Sequence, residues 1–303
     1  MTRRSYEPLS AESSPRIVGG LFPSVGRVLS DAGSGNRNED KVGYLEQLGA
    51  VAAWVIDGAT QLDSSLHRGV PSVTDFVESI SNALQHSSFS GGPGKAAIYD
   101  AMTEVRREKR WSDAVRTEPS YLWPIATMAW VRTKTENYGV KVEALIVGDC
   151  RILISRDRKT TLWGPDRAPP GEVALNDALR NFSGTDNDRR EFVQGFLRQR
   201  RSQQNQEHPS HVLSLSQSET ELMAYECVLH EPARIFIMTD GLFRFCDLLN
   251  TLTPNKLGQR LANSWDDLLV ALRRTEADLV GRLYTRHKLH DDASVIEVRV
   301  QPS

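Results

Sequence analysis

The run Ala50–Ile56 is seven consecutive apolar residues, several of them β-branched or aromatic, and it ends on Asp57 followed at once by Gly58. A run that short and that apolar reads as a strand buried on both faces rather than as a helix. A buried strand does not ordinarily finish on a carboxylate, so the feature constrains both the fold and the chemistry at the strand's end. Ile125–Val131, Lys141–Val147, Arg234–Met238 and Ala293–Val300 are runs of the same kind.

Helical spacing separates these strands. Val73, Phe76, Val77, Ile80 and Leu84 recur on one helical face behind Ser72, and Trp265, Leu268, Leu269, Leu272, Leu279 and Leu283 do so behind Ser264. Ser264 with Asp267 three residues on has the pattern of a capping box. Strands and helices do not alternate strictly, which disfavours a doubly wound parallel sheet and predicts a layered α+β arrangement with helices on antiparallel sheets. Residues 163–231 stand apart: "GPDRAPPGE", the charged helix start "GTDNDRREF" and "RQRRSQQNQEHPSH" are polar throughout. They predict a helical insertion or flap lying over the core. With no internal repeat and no linker, residues 1–303 read as one domain.

Composition narrows the function classes. With 39% hydrophobic and 25% charged residues and a formal net charge of -2, the chain belongs with ordinary soluble proteins. It has no global bias toward nucleic acid or anionic lipid. No secretory-type apolar segment opens it, and no apolar run approaches bilayer length, so the expectation is a cytoplasmic protein without a membrane anchor. Cys150, Cys227 and Cys246 are odd in number and far apart. They predict neither a disulfide framework nor a thiolate zinc site.

Acidic residues recur where strands end or begin. Asp57 closes "AAWVID", Asp149 closes "ALIVGD", Asp240 closes "RIFIMTD", and Asp291 with Asp292 precedes "ASVIEVRV". A single strand-terminal Asp is commonly a turn former. Four in one context point to a site, because carboxylates gathered at low dielectric repel one another until a cation joins them. Oxygen ligands without matched histidine or cysteine favour Mg²⁺ or Mn²⁺ over zinc.

Taken in order, "RNED" (37–40), "VIDGAT" (55–60), "PIATMAWV" (124–131), "LIVGDCRILIS" (145–155), "IMTDGLFRFCD" (237–247) and "HDDASVIEV" (290–298) resemble the blocks of metal-dependent protein phosphatases of the 2C type, particularly bacterial ones. The resemblance spans roughly residues 33–300. It implies a central β-sandwich flanked by helices on both sides, a centre of two Mg²⁺ or Mn²⁺ ions with room for a weakly held third, and a phosphorylated protein as substrate. By that resemblance Asp57 bridges the ions, Gly58 offers its carbonyl to one of them, and Asp240 and Asp291 bind the other. Asp291 is preferred to Asp292 because it stands three residues before Ser294. Glu39 and Asp40 correspond to the acidic pair that holds metal-bound water, and Asp149 to the aspartate that contacts water in the same centre.

The chain departs from that pattern where the family carries a phosphate-binding arginine, for Gly35 and Asn36 stand there. Arg37 is the nearest replacement and Arg27 a more distant one; a solvated loop arginine is the other reading of Arg37. Thr127 reads as a core strand residue, His287 and His290 as ion-pair partners or, less simply, ligands, and "RQRR" (198–201) as a solvated helix face. "RIVGG" (16–20) lacks the nucleophile segment of a serine protease, and "SGGPGKAA" (90–97) lacks the spacing of a phosphate-cradling loop. Ala59 stands where an aspartyl-phosphate enzyme would need a second Asp, so water rather than Asp57 is the expected nucleophile. Two function classes follow: a Mg²⁺/Mn²⁺-dependent serine/threonine phosphoprotein phosphatase, and an inactive relative that binds a regulatory partner, with the 163–231 segment as the partner surface.

Overall fold

The protein is described from a computed structural model, which covers residues 20–302 except 34–36, 61, 63–69, 90–91, 93, 158, 166–173, 176, 180–181, 208, 218, 248 and 280–289. Gly35, Asn36, Leu283 and His287 therefore lie outside the described residues. Two antiparallel sheets face each other. One runs in the order β1 (Leu21–Asp31), β11 (Ala293–Pro302), β10 (Ala233–Met238), β6 (Arg151–Arg156), β7 (Lys159–Trp163). The other runs β2 (Asp40–Gln47), β3 (Ala50–Gly58), β4 (Ile125–Glu136), β5 (Gly139–Val147), β9 (Met223–Leu229), with the short β8 (Leu213–Ser214) also on β4.

Alternation along β3 shows how the layers are built. Val51, Ala53 and Val55 point between the sheets and pack with Ile235, Ile237, Ile296 and Val298 of the facing sheet. Ala52, Trp54 and Ile56 point the other way, onto α1 (Val73–Ser87) and α2 (Gly94–Arg107). On the far side, Phe236, Met238 and Val295 pack under α5 (Asp240–Asp247), α6 (Pro254–Asn263) and α7 (Trp265–Leu279). Helices thus cover both outer faces of the sandwich, and the central strands are buried on both sides, which is why they read as unbroken apolar runs. The expected α+β sandwich flanked by helices is the observed architecture.

Local chemistry supports these elements. Ser72 and Asp75 form a reciprocal capping box at the start of α1. At α7 the forward half of the predicted box is present, the Asp267 N–H donating to Ser264 Oγ at 3.5 Å. Gly94, from the "SGGPGKAA" segment, opens α2 where a Cβ would stand 2.4 Å from the Trp130 ring, and its N–H donates to Glu143 Oε1 at 2.8 Å. It seats a helix against a buried indole. The indole N–H groups of Trp54 and Trp130 donate to Ser81 Oγ at 3.0 Å and Ser88 Oγ at 3.2 Å, so these rings bury no unpaired donor.

The predicted insertion over 163–231 needs correction. Trp163 closes β7 and is buried, Leu213 and Leu215 belong to the core under α1 and α2, and β9 pairs with β5 from Val140↔Leu229 to Ile146↔Met223. β9 is an edge strand whose residues alternate between half-buried and exposed, so its sequence reads as polar although it completes the sheet. α4 (Asp186–Gln206), capped by Thr185 and Asp188, lies outside the sheets. It docks on the turn Ser120–Leu122, where Asn205 Nδ2 donates to the Ser120 carbonyl at 2.9 Å. α3 (Lys109–Thr117) packs beside α1 through Trp111 against Phe76. Among the described residues no helix is long and apolar enough to cross a membrane.

Trp54 is fully buried between β3 and α1, and Gly43 opposite it leaves the ring its space. Trp54→Ala is expected to lower the free energy of unfolding by about 3–5 kcal/mol in chemical denaturation; a loss below about 1 kcal/mol would contradict this packing.

Candidate metal centre

The alternation that sends Val51, Ala53 and Val55 between the sheets sends Asp57 the same way, at the end where the sandwich opens. Its cross-strand partners are Asp40 on β2 and Thr127 on β4. Asp40 shares the inward face with Val42, which packs on the inter-sheet core. Two carboxylates therefore stand directly opposite each other in adjacent strands, an arrangement that destabilises a sheet when uncompensated. From the facing sheet, β10 leads into Asp240 at the first position of α5, and Asp291 and Asp292 immediately precede β11. Asp149 follows β5 after Gly148, whose φ of 75° is left-handed and whose missing Cβ would collide with Thr127 Cγ2. All the strand-end aspartates singled out in the sequence thus gather at one end of the sandwich.

The electrostatics agree with that gathering. Burial pushes the Asp57 carboxyl well above its usual range, and the charges of Asp40, Asp240, Asp149 and Asp291 push it further. Asp40 is raised by burial and by Asp292 and Asp291, against lowering hydrogen bonds from Ser294 and Thr239. Asp149 is raised to about 6, first by burial and then by Asp240, while Arg151 opposes the shift. The neighbouring Cys150 thiol is pushed up by burial, then by Asp57 and Asp149.

Hydrogen bonds fix the frame. The Thr239 hydroxyl donates to Asp40 Oδ2 at 2.9 Å and itself accepts from the Ser294 N–H at 3.0 Å. The Glu39 N–H donates to Asp292 Oδ2 at 2.6 Å, and the Thr60 hydroxyl donates to Glu39 Oε2 at 2.6 Å. Gly58 donates its N–H to the Glu39 carbonyl at 3.1 Å, where a Cβ would stand 2.8 Å from that oxygen. Gly241 is tighter still: a Cβ there would lie 1.9 Å from the Asp292 carbonyl. The glycines beside Asp57 and Asp240 let backbones touch that any side chain would hold apart.

Asp291 is held differently from the rest. Arg244, one helical turn after Asp240 and 5% exposed at its side chain, pairs with Asp291 Oδ2 and reaches Asp240 Oδ2 at 3.7 Å. Among the described residues no three His, Cys, Asp or Glu side chains converge as a metal cage in this arrangement. The donor set nevertheless fits hard divalent cations: it is all oxygen, it is crowded with like charge, and Asp40 Oδ1 is buried without a hydrogen-bond partner.

The remaining sequence-predicted residues fall as follows. Arg37 is exposed and lends its charge to Asp75 at the start of α1. Arg27 lies on β1, beside a depression shared with Asn263 and Trp265. His290 lies against a carboxylate, its Nδ1 3.0 Å from Glu276 Oε2. Thr127 is more than a core residue, for its hydroxyl reaches Asp149 and lies 3.5 Å from Cys150 Sγ. Arg201, at the end of "RQRR", is buried rather than solvated and donates to the Thr60 carbonyl at 3.2 Å. Sequence reasoning missed Arg201 and Arg244; neither sits in a pattern that distinguishes it from a surface arginine.

The folded Asp149 holds its proton up to about 6, whereas an unfolded aspartate releases it near about 4. The folded chain therefore binds more protons in that window, so this group's contribution to stability is present below it and is lost as pH rises through it. Asp75 works in the opposite sense, its carboxyl being lowered by Ser72, so the informative quantity is a difference. In chelator, wild type is expected to lose stability relative to Asp149→Asn between about pH 4 and about pH 6; parallel profiles would contradict the assignment.

No protein-family model matches the chain, and no curated protein matches it in sequence. Solved structures do. PppA, described as a key regulatory component of T6SS in Pseudomonas aeruginosa, superposes with a TM-score of 0.53 at 15% identity, covering 94% of this chain and 99% of that one. The serine/threonine phosphatase of S. agalactiae gives 0.52 at 19% identity over 93% and 100%. The PP2C phosphatase domain with a fragment of the regulatory domain of SpoIIE from Bacillus subtilis gives 0.52 at 13% over 94% and 64%. The two-sheet sandwich with its helical flanks is the fold of the serine/threonine phosphatases of the 2C type, which the sequence blocks resemble.

Proposed function

We propose that the chain is a Mg²⁺- or Mn²⁺-dependent phosphatase that removes phosphate from phosphoserine and phosphothreonine in a protein substrate. The observation that carries this reading is the register of Asp40 against Asp57 at the open end of the sandwich, with Asp149, Asp240 and Asp291 close enough to raise the Asp57 carboxyl. In this reading Asp57 would serve both ions, the Gly58 carbonyl one of them and Asp240 with Asp291 the other, and Asp40 would contribute its partnerless Oδ1. Two such cations supply Lewis acidity toward the phosphate and lower the pKa of the attacking water.

The chain's own residues do the positioning. Glu39 is oriented by the Thr60 hydroxyl and by the bond from its own N–H to Asp292, so its carboxylate is set to accept from water. Asp149 sits across the cluster, steadied by Thr127. Arg201 ties α4 to the loop that follows Asp57. A phosphoprotein resting on α4 would lie against the acidic end, with Arg37 at its outer margin. The second reading, a binding protein without turnover, draws on the engagement of Asp291 by Arg244.

Hydrolysis of p-nitrophenyl phosphate and of a phosphothreonine peptide should require added Mn²⁺ or Mg²⁺. Asp57→Asn and Asp240→Asn should each lower kcat/KM by about 100-fold or more. Turnover indifferent to chelator would overturn the proposal, and Mn²⁺ binding with no turnover would favour the second reading.

A further inference from the structure

Arg244 raises a question that the phosphatase reading leaves open. A guanidinium stays charged under all ordinary conditions, and burying one is costly unless carboxylates receive it. Arg244 is received by three: Asp291 Oδ2, Asp240 Oδ2 at 3.7 Å and Glu276 Oε1 at 3.5 Å. Glu276 on α7 is itself buried and has other partners, the Arg273 guanidinium at 2.8 Å and the His290 ring at 3.0 Å. Arg273 continues to Asp31 at the end of β1. Glu276 thus does not depend on Arg244 alone for its charge balance, and the same guanidinium also pairs with both Asp240 and Asp291.

The placement follows from helix geometry. Residues four apart on a helix share a face, so the aspartate that opens α5 and the arginine one turn later address the same space. Asp291 reaches that space from the start of β11, 47 residues further along the chain. A divalent ion seated between Asp240 and Asp291 would meet the guanidinium at close range, where like charges repel strongly in a partly buried site.

We propose that Arg244 is a built-in cation of the acidic end. It holds the Asp240–Asp291 side in the absence of metal, so the Asp40–Asp57 side would be the open one for a first divalent ion, and Asp291 would have to leave the guanidinium for a second to be held. Arg244 is then a positioning residue that grades metal occupancy, and the Glu276–Arg273–Asp31 chain links that occupancy to α7 and β1. This inference rests on the metal-centre reading above.

The test is calorimetric titration of the full, metal-free chain with Mn²⁺ alone. Wild type is expected to bind one ion tightly and a second at least about tenfold more weakly. Arg244→Met is expected to tighten the second step by about tenfold while moving the first less than about threefold. Arg244→Lys, which keeps the charge and guards against loss of the fold, lacks the fork that spans two carboxylates and is expected to tighten the second step severalfold. Two equal sites in wild type, or constants unchanged in either variant, would overturn the role of Arg244 while leaving the metal centre standing. Absence of Mn²⁺ binding in all three proteins would overturn both.

Discussion

The structure depends on repulsion as much as on burial. Asp40 and Asp57 face each other across adjacent strands, and the facing sheet adds Asp240, Asp291 and Asp292 to the same end. Folding drives this gathering through apolar contacts between the sheets and under the helices, such as Val55 with Ile237 and Trp54 with α1. The carboxylates are carried along by strand alternation, which leaves Asp57 no other face to point to. The hydrophobic effect therefore assembles an electrostatic liability. That liability is what a cation can turn into a binding site.

Part of the strain is already offset within the chain. Thr239 donates to Asp40, the Glu39 N–H donates to Asp292, and Arg244 pairs with Asp291. What these leave uncovered is Asp57 and the other oxygen of Asp40: both carboxyls stay well above the usual range, and Asp40 Oδ1 has no hydrogen-bond partner. Compensation is thus arranged at the periphery and withheld at the middle. Glycine makes the close approach possible: Gly58 and Gly241 bring the β3 and β10 ends against the Glu39 and Asp292 backbones.

Much of this is legible in the sequence because the central strands are buried on both faces. β3, β4, β5, β10 and β11 appear as apolar runs, and the aspartates that end or precede them mark the site. α1 and α7 are legible from helical spacing, and the start of α4 from its charged opening. The edge strands are not: β2 and β9 mix exposed and buried positions, so β9 reads as part of a polar insertion. Side-chain pairings between distant segments are not legible either. Nothing near Arg244 announces Asp291, and nothing in "RQRR" distinguishes the buried Arg201 from the half-buried Arg198 and Arg200. Thr127 looks like any strand threonine until β5 places Asp149 beside it.

In this reading carboxylates at the open end destabilise the metal-free chain, and divalent cations stabilise it. The most direct measurement is the thermal midpoint of wild type and Asp57→Asn, each in chelator and in excess Mn²⁺. Neutralising one of the opposed carboxylates should raise the midpoint in chelator and abolish most of the rise that Mn²⁺ gives wild type. A variant less stable than wild type in chelator, with an undiminished response to Mn²⁺, would contradict the account.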